Sequence, residues 1–206
     1  FTWRGELGYK RDLPKGYLYA AAYHRITSDI LTRIVTGAEG STQLYTIAQN
    51  AGQGTNSGLE VVLEHALGNK VKLSLNGNVY RNVLDAFSTI SAYPQPTPYS
   101  AARQEATSGN VKLNTRFTLR KDVDLQLTGI WLARDIVPQG SIDARWSIDM
   151  GVVWKVSGTK STLTLNATDL LNTMRIRQTV VGDDFRIVST NYFETRAVRL
   201  TWAWAF

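Results

Sequence analysis

The chain has 206 residues, no cysteine and a net charge of +6, from 23 Lys and Arg against 17 Asp and Glu. The absence of cysteine excludes a disulfide scaffold and a thiolate metal site. The basic residues are scattered rather than clustered, which argues against a nucleic-acid partner despite the excess of positive charge. No run of 18 apolar residues occurs, so we expect no helical membrane span, and the first residues lack the charged and apolar pattern expected of a signal peptide.

Apolar and polar residues alternate with a period of two along most of the chain. In VKLSLNGNV, residues 71–79, Val71, Leu73 and Leu75 share one face, and the residues between them, such as Ser74, share the other. The segments 111–119, 123–131, 146–156 and 161–168 repeat the pattern. This period is typical of β-strands with two different faces, and no segment favours a helix.

In chain order the pattern predicts about nine strands, and short and long connections alternate between them. The predicted strands are 1–11, 17–35, 42–67, 71–86, 102–119, 123–135, 144–156, 161–179 and 185–206. The short turns are DLPKG (12–16), GNK (68–70), RKD (120–122) and SGTK (157–160). The long connections include TGAEGS (36–41), FSTISAYPQPTPYSA (87–101), IVPQGSID (136–143) and VGDD (181–184).

The spacing of the short turns distinguishes a membrane barrel from a soluble sandwich. It leaves arms of about 15–25 residues, whereas ordinary strands have about 5–6. Arms of this length suit tilted membrane strands of about 9–11 spanning residues with extensions beyond the bilayer. Aromatic residues near the short turns suggest a girdle at the membrane surface, namely Trp3, Tyr9, Tyr17, Tyr19, Phe117, Trp154, Trp202 and Trp204. The sequence therefore predicts an all-β, antiparallel, up-and-down transmembrane β-barrel.

The predicted strand count suggests that the barrel is larger than this chain. In outer-membrane barrels the short turns are periplasmic and the long loops extracellular, and bacterial single-chain barrels have even strand numbers. Nine strands would leave the first and the last running in the same direction. We therefore expect residues 1–206 to be the C-terminal portion of a barrel domain, with further strands upstream of Phe1.

Several segments carry a resemblance to a known family. LNATDLLNT (165–173) and FETRAVRLTWAWAF (193–206) resemble the end of TonB-dependent outer-membrane receptors, in particular the outer-membrane β-barrel proteins common in Bacteroidetes. GTNSGLEVVLEHAL (54–67) is similar to a recurring Gly-x-Glu strand of that family, and YLYAAAYHRITSDILTRIV (17–35) is similar to an upstream strand. The resemblance spans nearly the whole chain, and its terminal segment is the most specific part.

The resemblance implies a receptor that takes up a scarce nutrient: an iron chelate, a glycan or a peptide. It implies a barrel of about 22 strands in outer-membrane lipid, with an N-terminal plug that meets the TonB complex; about thirteen strands and the plug would then be absent here. It also implies that the barrel-assembly machinery recognises the alternating terminal strand, carried by Val198, Leu200, Trp202, Trp204 and Phe206. Two alternatives stay open: a structural or adhesive barrel without transport, and a soluble secreted β-sandwich that binds carbohydrate.

The sequence offers one candidate ligand segment and no candidate catalytic site. The loop AYPQPTPY holds Tyr93, Pro94, Pro96, Pro98 and Tyr99. Its prolines favour a stiff, solvated loop, and a ligand-touching extracellular loop in which both tyrosines stack on the ligand remains the alternative. His24 and His65 have no neighbouring metal-ligating pattern, so we expect ordinary strand histidines. We expect no enzyme activity, no cofactor and no metal.

Overall fold

The computed structural model describes residues 1–37, 42–50, 52–93, 95–182 and 184–205, which form 17 strands and no helix. No helix long and apolar enough to cross a membrane occurs in these segments. The strands are β1 (Thr2–Leu13), β2 (Gly16–Ser28), β3 (Leu31–Gly37), β4 (Leu44–Asn50), β5 (Gln53–Leu67), β6 (Val71–Leu84), β7 (Phe87–Ser91), β8 (Thr97–Ala101), β9 (Gln104–Arg120), β10 (Val123–Leu132), β11 (Asp135–Val137), β12 (Gly140–Ile142), β13 (Arg145–Lys155), β14 (Ser161–Thr168), β15 (Ile176–Val181), β16 (Arg186–Asn191) and β17 (Ala197–Trp204).

Nine of these strands form one antiparallel sheet in the order β1-β2-β5-β6-β9-β10-β13-β14-β17. Each strand pairs with the one that precedes it in the chain among the nine, so the sheet is an up-and-down meander. The four predicted short turns join β1 to β2, β5 to β6, β9 to β10 and β13 to β14. The predicted number of long arms and the positions of the tight turns are therefore confirmed.

The predicted strand bounds were too long at the other end of the sheet. The prediction 17–35 breaks between β2 and β3, and 161–179 breaks between β14 and β15. Asp29, Asp169 and Asn172 have φ values of 53°, 43° and 53°, and this left-handed backbone cannot continue a strand. The last predicted strand, 185–206, also breaks, between β16 and β17.

The long connections are themselves built from short strands. They form two hairpins, β3–β4 and β7–β8, and one four-stranded sheet of order β11-β12-β15-β16. IVPQGSID is thus a hairpin of its own, with β11 and β12 as its arms. We call these three units the loop layer. Residues 38–41 of TGAEGS and residue 183 of VGDD lie outside the described residues.

The register of the main sheet separates an apolar face from a polar face. Leu63 lies opposite Leu75, which lies opposite Leu113. At the adjacent position of each strand, Glu64 lies opposite Ser74, which lies opposite Asn114. Neighbouring residues of a strand point to opposite faces, so both sets continue across the sheet. The predicted assignment of faces is confirmed in the central strands.

Tryptophans mark both ends of the apolar face. Trp131 of β10 lies opposite Trp146 of β13 at the long-connection end. Trp154 of β13 lies opposite Leu163 at the short-turn end, and Leu163 lies opposite Trp202. From Trp146 to Trp154 the chain advances eight residues, or about 27 Å along the strand. A tilt of about 40° reduces this to roughly 20 Å, close to the height of the apolar band in membrane barrels.

The predicted girdle at the short turns was partly wrong. Trp3 lies opposite Ile26, at the long-connection end. Tyr17 and Tyr19 lie on the polar face, where the Tyr19 hydroxyl donates a hydrogen bond to Glu6 Oε1 at 2.7 Å. The register fixed by the turn 12–16 determines which face of the sheet each β2 residue occupies. The aromatic character of Tyr17 and Tyr19 does not by itself indicate that face.

Candidate functional site

A charged groove of about 240 Å³ crosses the polar face towards its short-turn end. Side chains of β5, β6, β9 and β10 line it, among them Glu64, Lys72, Asn114, Arg116 and Gln126. Arg116 Nη2 contacts Asp124 Oδ2 at 2.6 Å on this face. The groove therefore places cationic, anionic and amide side chains side by side, which suits contact with water and hydrogen-bonding solutes.

A cluster of tyrosine and arginine lies on the same face nearer the long connections. Tyr23 is nearly buried, and its hydroxyl lies 3.0 Å from Asn56 Oδ1 and 3.1 Å from Asn78 Oδ1. The guanidinium carbons of Arg4 and Arg25 lie 5.6 Å and 5.9 Å from the centre of the Tyr23 ring. These distances are within the range of cation–π attraction, so the ring orders both cations on the polar face.

The loop layer bends over the polar face. Asp135, the first residue of β11, accepts hydrogen bonds from the Tyr80 hydroxyl at 2.7 Å and from Asn82 Nδ2 at 2.8 Å. Gln104 Nε2 donates to the carbonyl of Pro138 at 3.4 Å, at the turn of the same hairpin. Tyr80, Asn82 and Gln104 all belong to the polar face by register, so the β11–β12 hairpin leans across that face rather than away from it.

The loop layer has a small core of its own. Ile34 of β3 is fully buried, together with Tyr99 and Ala101 of β8, and Phe87 packs against them. The ring centres of Phe87 and Tyr99 are 5.9 Å apart. This packing explains why long connections between barrel strands hold ordered hairpins here.

The structure places the two tyrosines of the predicted ligand loop differently. Tyr99 is 6% exposed, because its ring is covered by the core of the loop layer. Tyr93 is 57% exposed, and its ring meets that of Tyr45 edge to face at 5.2 Å. Pro96 is exposed, Pro98 lies in β8 opposite Ile90, and Pro94 lies outside the described residues. The exposed Tyr93 ring therefore pairs with the half-buried Tyr45 ring and not with Tyr99.

The terminal strand β17 forms an edge of the main sheet and exposes its apolar side chains. Val198, Leu200, Trp202 and Trp204 lie opposite Ala167, Leu165, Leu163 and Ser161 of β14 and are 59–72% exposed. They continue the apolar face of the sheet to its edge, in agreement with the alternation of the sequence. Phe206, the last residue of the predicted assembly signal, lies outside the described residues.

Sequence reasoning missed a buried carboxylate inside LNATDLLNT. Asp169 is 2% exposed and follows directly after β14. Its carboxylate accepts hydrogen bonds from Thr195 Oγ1 at 2.6 Å and from the backbone N–H groups of Thr173 at 2.9 Å and Met174 at 3.2 Å. Its own N–H donates to Asp149 Oδ1 of β13 at 2.8 Å. Asp169 thus ties the ends of β13 and β14 to the segment that leads into β17.

The hydrogen bonds also decide the charge of Asp169. Burial raises the pKa of a carboxyl group, but the donors from Thr195, Thr173 and Met174 together outweigh burial and hold the pKa of Asp169 below its ordinary value. The carboxylate is therefore ionised at neutral pH. The signal in the sequence was Asp169 and Asn172 enclosing two leucines, since both residue types tolerate the left-handed backbone that the turn requires.

These features define a class of protein. A long-stranded antiparallel meander has one exposed apolar face, edged by tryptophans at both ends, and one face of charges and amides. Water-soluble sandwiches cover an apolar sheet face with a second sheet. Here the large side chains of that face are exposed, among them Leu59, Leu113, Trp131 and Leu200. This combination is that of a transmembrane β-barrel.

The chain matches the Outer membrane protein beta-barrel family over residues 1–204 and belongs to that family. No curated protein and no solved structure matches it. The protein is accordingly an antiparallel barrel protein of the bacterial outer membrane. The predicted fold class and location are confirmed, and the alternative of a soluble secreted sandwich was wrong.

Proposed function

We propose that this chain is the C-terminal part of the barrel of a TonB-dependent receptor, which takes up a scarce nutrient across the outer membrane. The observation that carries the proposal is the direction of the edge strands. In an antiparallel sheet of nine strands, β1 and β17 run the same way and cannot form an antiparallel pair with each other. Closure then requires an odd number of further strands, which makes the complete barrel wider than this sheet.

The polar face supports a wide lumen rather than a filled one. A narrow barrel fills its interior with side chains, whereas barrels of about 22 strands enclose a plugged lumen. The groove beside Lys72 and Arg116 is lined by charged and amide side chains, which suits contact with water or with another polar surface. A plug that moves under TonB force is the partner which the resemblance implies for such a face.

The two faces of the sheet support the remaining partners of this proposal. The apolar face meets outer-membrane lipid, and the aromatic alternation of β17 is presented to the barrel-assembly machinery. The short turns lie in the periplasm, and the loop layer lies outside the cell and contacts the nutrient first. The exposed Tyr93 ring contributes stacking surface there for an iron chelate, a glycan or a peptide.

The absence of cysteine permits a direct test of this orientation. Pro96→Cys and Asn69→Cys each introduce one thiol at an exposed position, in the loop layer and in a short turn respectively. An impermeant maleimide added to intact cells should label Pro96→Cys and leave Asn69→Cys unlabelled until the cells are broken. Labelling of Asn69→Cys in intact cells would reverse the orientation.

Transport is tested by comparing growth under nutrient limitation with and without the full-length protein. We expect its deletion to impair growth on one limiting nutrient, and depletion of TonB to cause no further loss on that nutrient. A deletion strain that grows normally on every limiting nutrient but loses surface attachment would instead establish the structural or adhesive alternative.

A further inference from the structure

The excess positive charge of the chain is concentrated at the short-turn end of the main sheet. The four short turns with their flanking residues, 10–16, 67–72, 119–124 and 154–160, hold nine Lys and Arg against three Asp. This excess equals the net charge of the whole chain, +6, so the charges elsewhere balance. The nine cations are Lys10, Arg11, Lys15, Lys70, Lys72, Arg120, Lys121, Lys155 and Lys160.

Each short turn contributes one exposed lysine to this edge of the sheet, and we call the four the lysine row: Lys15, Lys70, Lys121 and Lys160. Backbone hydrogen bonds keep neighbouring turns at one level. The carbonyl of Lys15 accepts from the Ala66 N–H of the next hairpin at 2.8 Å. The carbonyl of Lys70 accepts in the same way from the Thr118 N–H at 2.7 Å. Successive hairpins are two strands apart, so the lysines follow one another at intervals of about 10 Å.

The ammonium groups of the lysine row have no carboxylate partner. Among the residues that the structure describes, no ion pair includes any of the four. The nearby carboxylates are engaged by other groups. Asp12 Oδ1 lies 3.2 Å from Lys10 Nζ, and Asp122 Oδ2 accepts from an indole N–H at 3.3 Å. Asp124 Oδ2 lies 2.6 Å from Arg116 Nη2. Because cations about 10 Å apart still repel one another at a similar Debye length, the row favours an external anion.

The lysine row lies directly beyond the lipid-facing surface. Leu67, immediately before the turn 68–70, belongs to the apolar face by its register and is exposed. Trp154, immediately before residues 155–160, belongs to the same face and is also exposed. The turns therefore begin where contact with hydrocarbon ends. A lysine stem of four carbons extends along such a boundary and presents its ammonium group to the headgroups of the lipid.

The opposite end of the sheet has a different distribution of charge. Residues 24–62, 77–111, 131–149 and 168–199 contain no lysine, and their cations are arginines. Three of these, Arg81, Arg103 and Arg177, form ion pairs with carboxylates of the same end. A row of lysines without carboxylate partners is therefore a property of one membrane surface, and it is not a general feature of the exposed residues.

We propose that the lysine row binds the anionic phosphate headgroups of phospholipids in the leaflet that surrounds the short turns. Ammonium groups donate charge-assisted hydrogen bonds to phosphate oxygens, and basic residues at a membrane surface attract anionic lipid. The bound headgroups neutralise the row and hold the short-turn end of the barrel at the level of the membrane surface. The inference requires only the barrel in its membrane and does not depend on TonB-driven transport.

Quenching of tryptophan fluorescence by brominated lipid measures which lipids surround the barrel. The full-length protein is refolded into phosphatidylcholine vesicles that contain the same fraction of either brominated phosphatidylglycerol, which is anionic, or brominated phosphatidylcholine. We expect the anionic lipid to associate with the wild type about twofold or more in preference, because each lysine at the surface attracts it. Salt at about 1 M should abolish this preference, because it shortens the Debye length to about 3 Å.

Two sets of substitutions in the turns test the lysine row itself. Lys15→Gln/Lys70→Gln/Lys121→Gln removes three charges at exposed positions and should lower the preference for anionic lipid by about half or more. Lys15→Arg/Lys70→Arg/Lys121→Arg keeps the charges and should retain the preference. Heat-modifiable migration verifies that each variant is a folded barrel before quenching is measured.

The matched control removes three charges from the polar face. Lys72, Lys112 and Lys155 are exposed there and belong to the polar face by register. Their joint replacement by glutamine should leave the preference unchanged. An unchanged preference in the glutamine variant of the turns would overturn the proposal. An equal decrease in the turn variant and the control would overturn it as well, because total charge and not the lysine row would then select the lipid.

Discussion

Replacement of Asp169 by alanine should strongly destabilise the end of the sheet. The substitution removes the acceptor of the backbone N–H groups of Thr173 and Met174, at 2.9 Å and 3.2 Å, and of the Thr195 hydroxyl at 2.6 Å. The site is 2% exposed, so water does not reach the amide groups without local opening. A buried donor left without a partner costs about 1–3 kcal/mol. Two backbone donors therefore predict a loss of about 2–6 kcal/mol in the free energy of unfolding.

Two further variants test the cause of that loss. Asp169→Asn keeps the shape but turns one acceptor oxygen into an NH₂ group, so it should cost about 1–3 kcal/mol through one lost donor contact. Asp184→Ala removes an exposed carboxylate from the turn between β15 and β16 and should change stability by less than about 0.5 kcal/mol.

The measurement is guanidinium unfolding of the full-length protein refolded into lipid vesicles, followed by tryptophan fluorescence, with heat-modifiable migration as the check for a folded barrel. We expect the free energy of unfolding to decrease in the order wild type and Asp184→Ala, then Asp169→Asn, then Asp169→Ala. If Asp169→Ala unfolded at the same denaturant concentration as Asp184→Ala, the hydrogen bonds around Asp169 would not stabilise the fold.

The same carboxylate predicts a dependence on pH. Burial raises the pKa of Asp169, but its hydrogen bonds outweigh burial and lower it below the ordinary value of about 3.9. A group with a lowered pKa in the folded state contributes stability that is fully present above the unfolded pKa and is lost as pH falls through the folded pKa. The stability difference between wild type and Asp169→Asn should thus be constant near neutral pH and shrink below about pH 5. A difference that grew on acidification would contradict this assignment.

Three other predictions concern the faces, the last strand and the turn. Leu113→Arg places a charge on the apolar face and should cost about 2–4 kcal/mol, whereas Asn114→Arg on the polar face should cost much less; equal losses in vesicle unfolding would argue against a lipid-facing Leu113. In the full-length protein, Trp202→Ala should reduce the amount of folded barrel in the outer membrane, and Thr201→Ser should not; normal yield of Trp202→Ala on heat-modifiability gels would remove this residue from the assembly signal. Asn172→Val should cost about 1–2 kcal/mol because a β-branched residue resists the left-handed backbone, and Asn172→Gly should be nearly neutral, so equal unfolding midpoints for the two would exclude backbone strain.

The main sheet was predictable because its signals are local. Alternation along a strand and the turn residues at 68–70 and 120–122 are properties of neighbouring residues, and they placed the strands and their short connections correctly. The strand ends near Asp29 and Asp169 were not predicted, because each end depends on one residue with a left-handed backbone. The alternating residues continue past the break, so the period of two does not report it.

The candidate site was less predictable because its contacts join distant segments. The Tyr99 ring looked like an exposed loop aromatic, yet Ile34 and Phe87 cover it from a different hairpin and a preceding strand. The backbone of Val35 is hydrogen-bonded to the side chain of Gln139, 104 residues away in the chain, and no sequence pattern near either residue indicates this contact. By contrast, the turn at Asp169 is formed by neighbouring residues. Its pattern of Asp, two leucines and Asn can be read from the sequence, but the pattern does not show that the carboxylate is buried.

The two hydrogen bonds between the Gln139 side chain and the Val35 backbone also constrain the order in which the protein can fold. The main sheet pairs each strand with its predecessor among the nine, and four of its eight ladders are hairpins with short turns, so most of the sheet forms from contacts of moderate sequence separation. The Gln139–Val35 contact is different, because it needs β3 and the β11–β12 hairpin side by side, and strands β4 to β10 lie between them in the chain. Closing so long a connection carries the entropy cost of the whole intervening segment unless those strands are already paired. The Gln139–Val35 contact is therefore among the last to form, and in a barrel arrested before β10 has paired the β3–β4 hairpin would lack it.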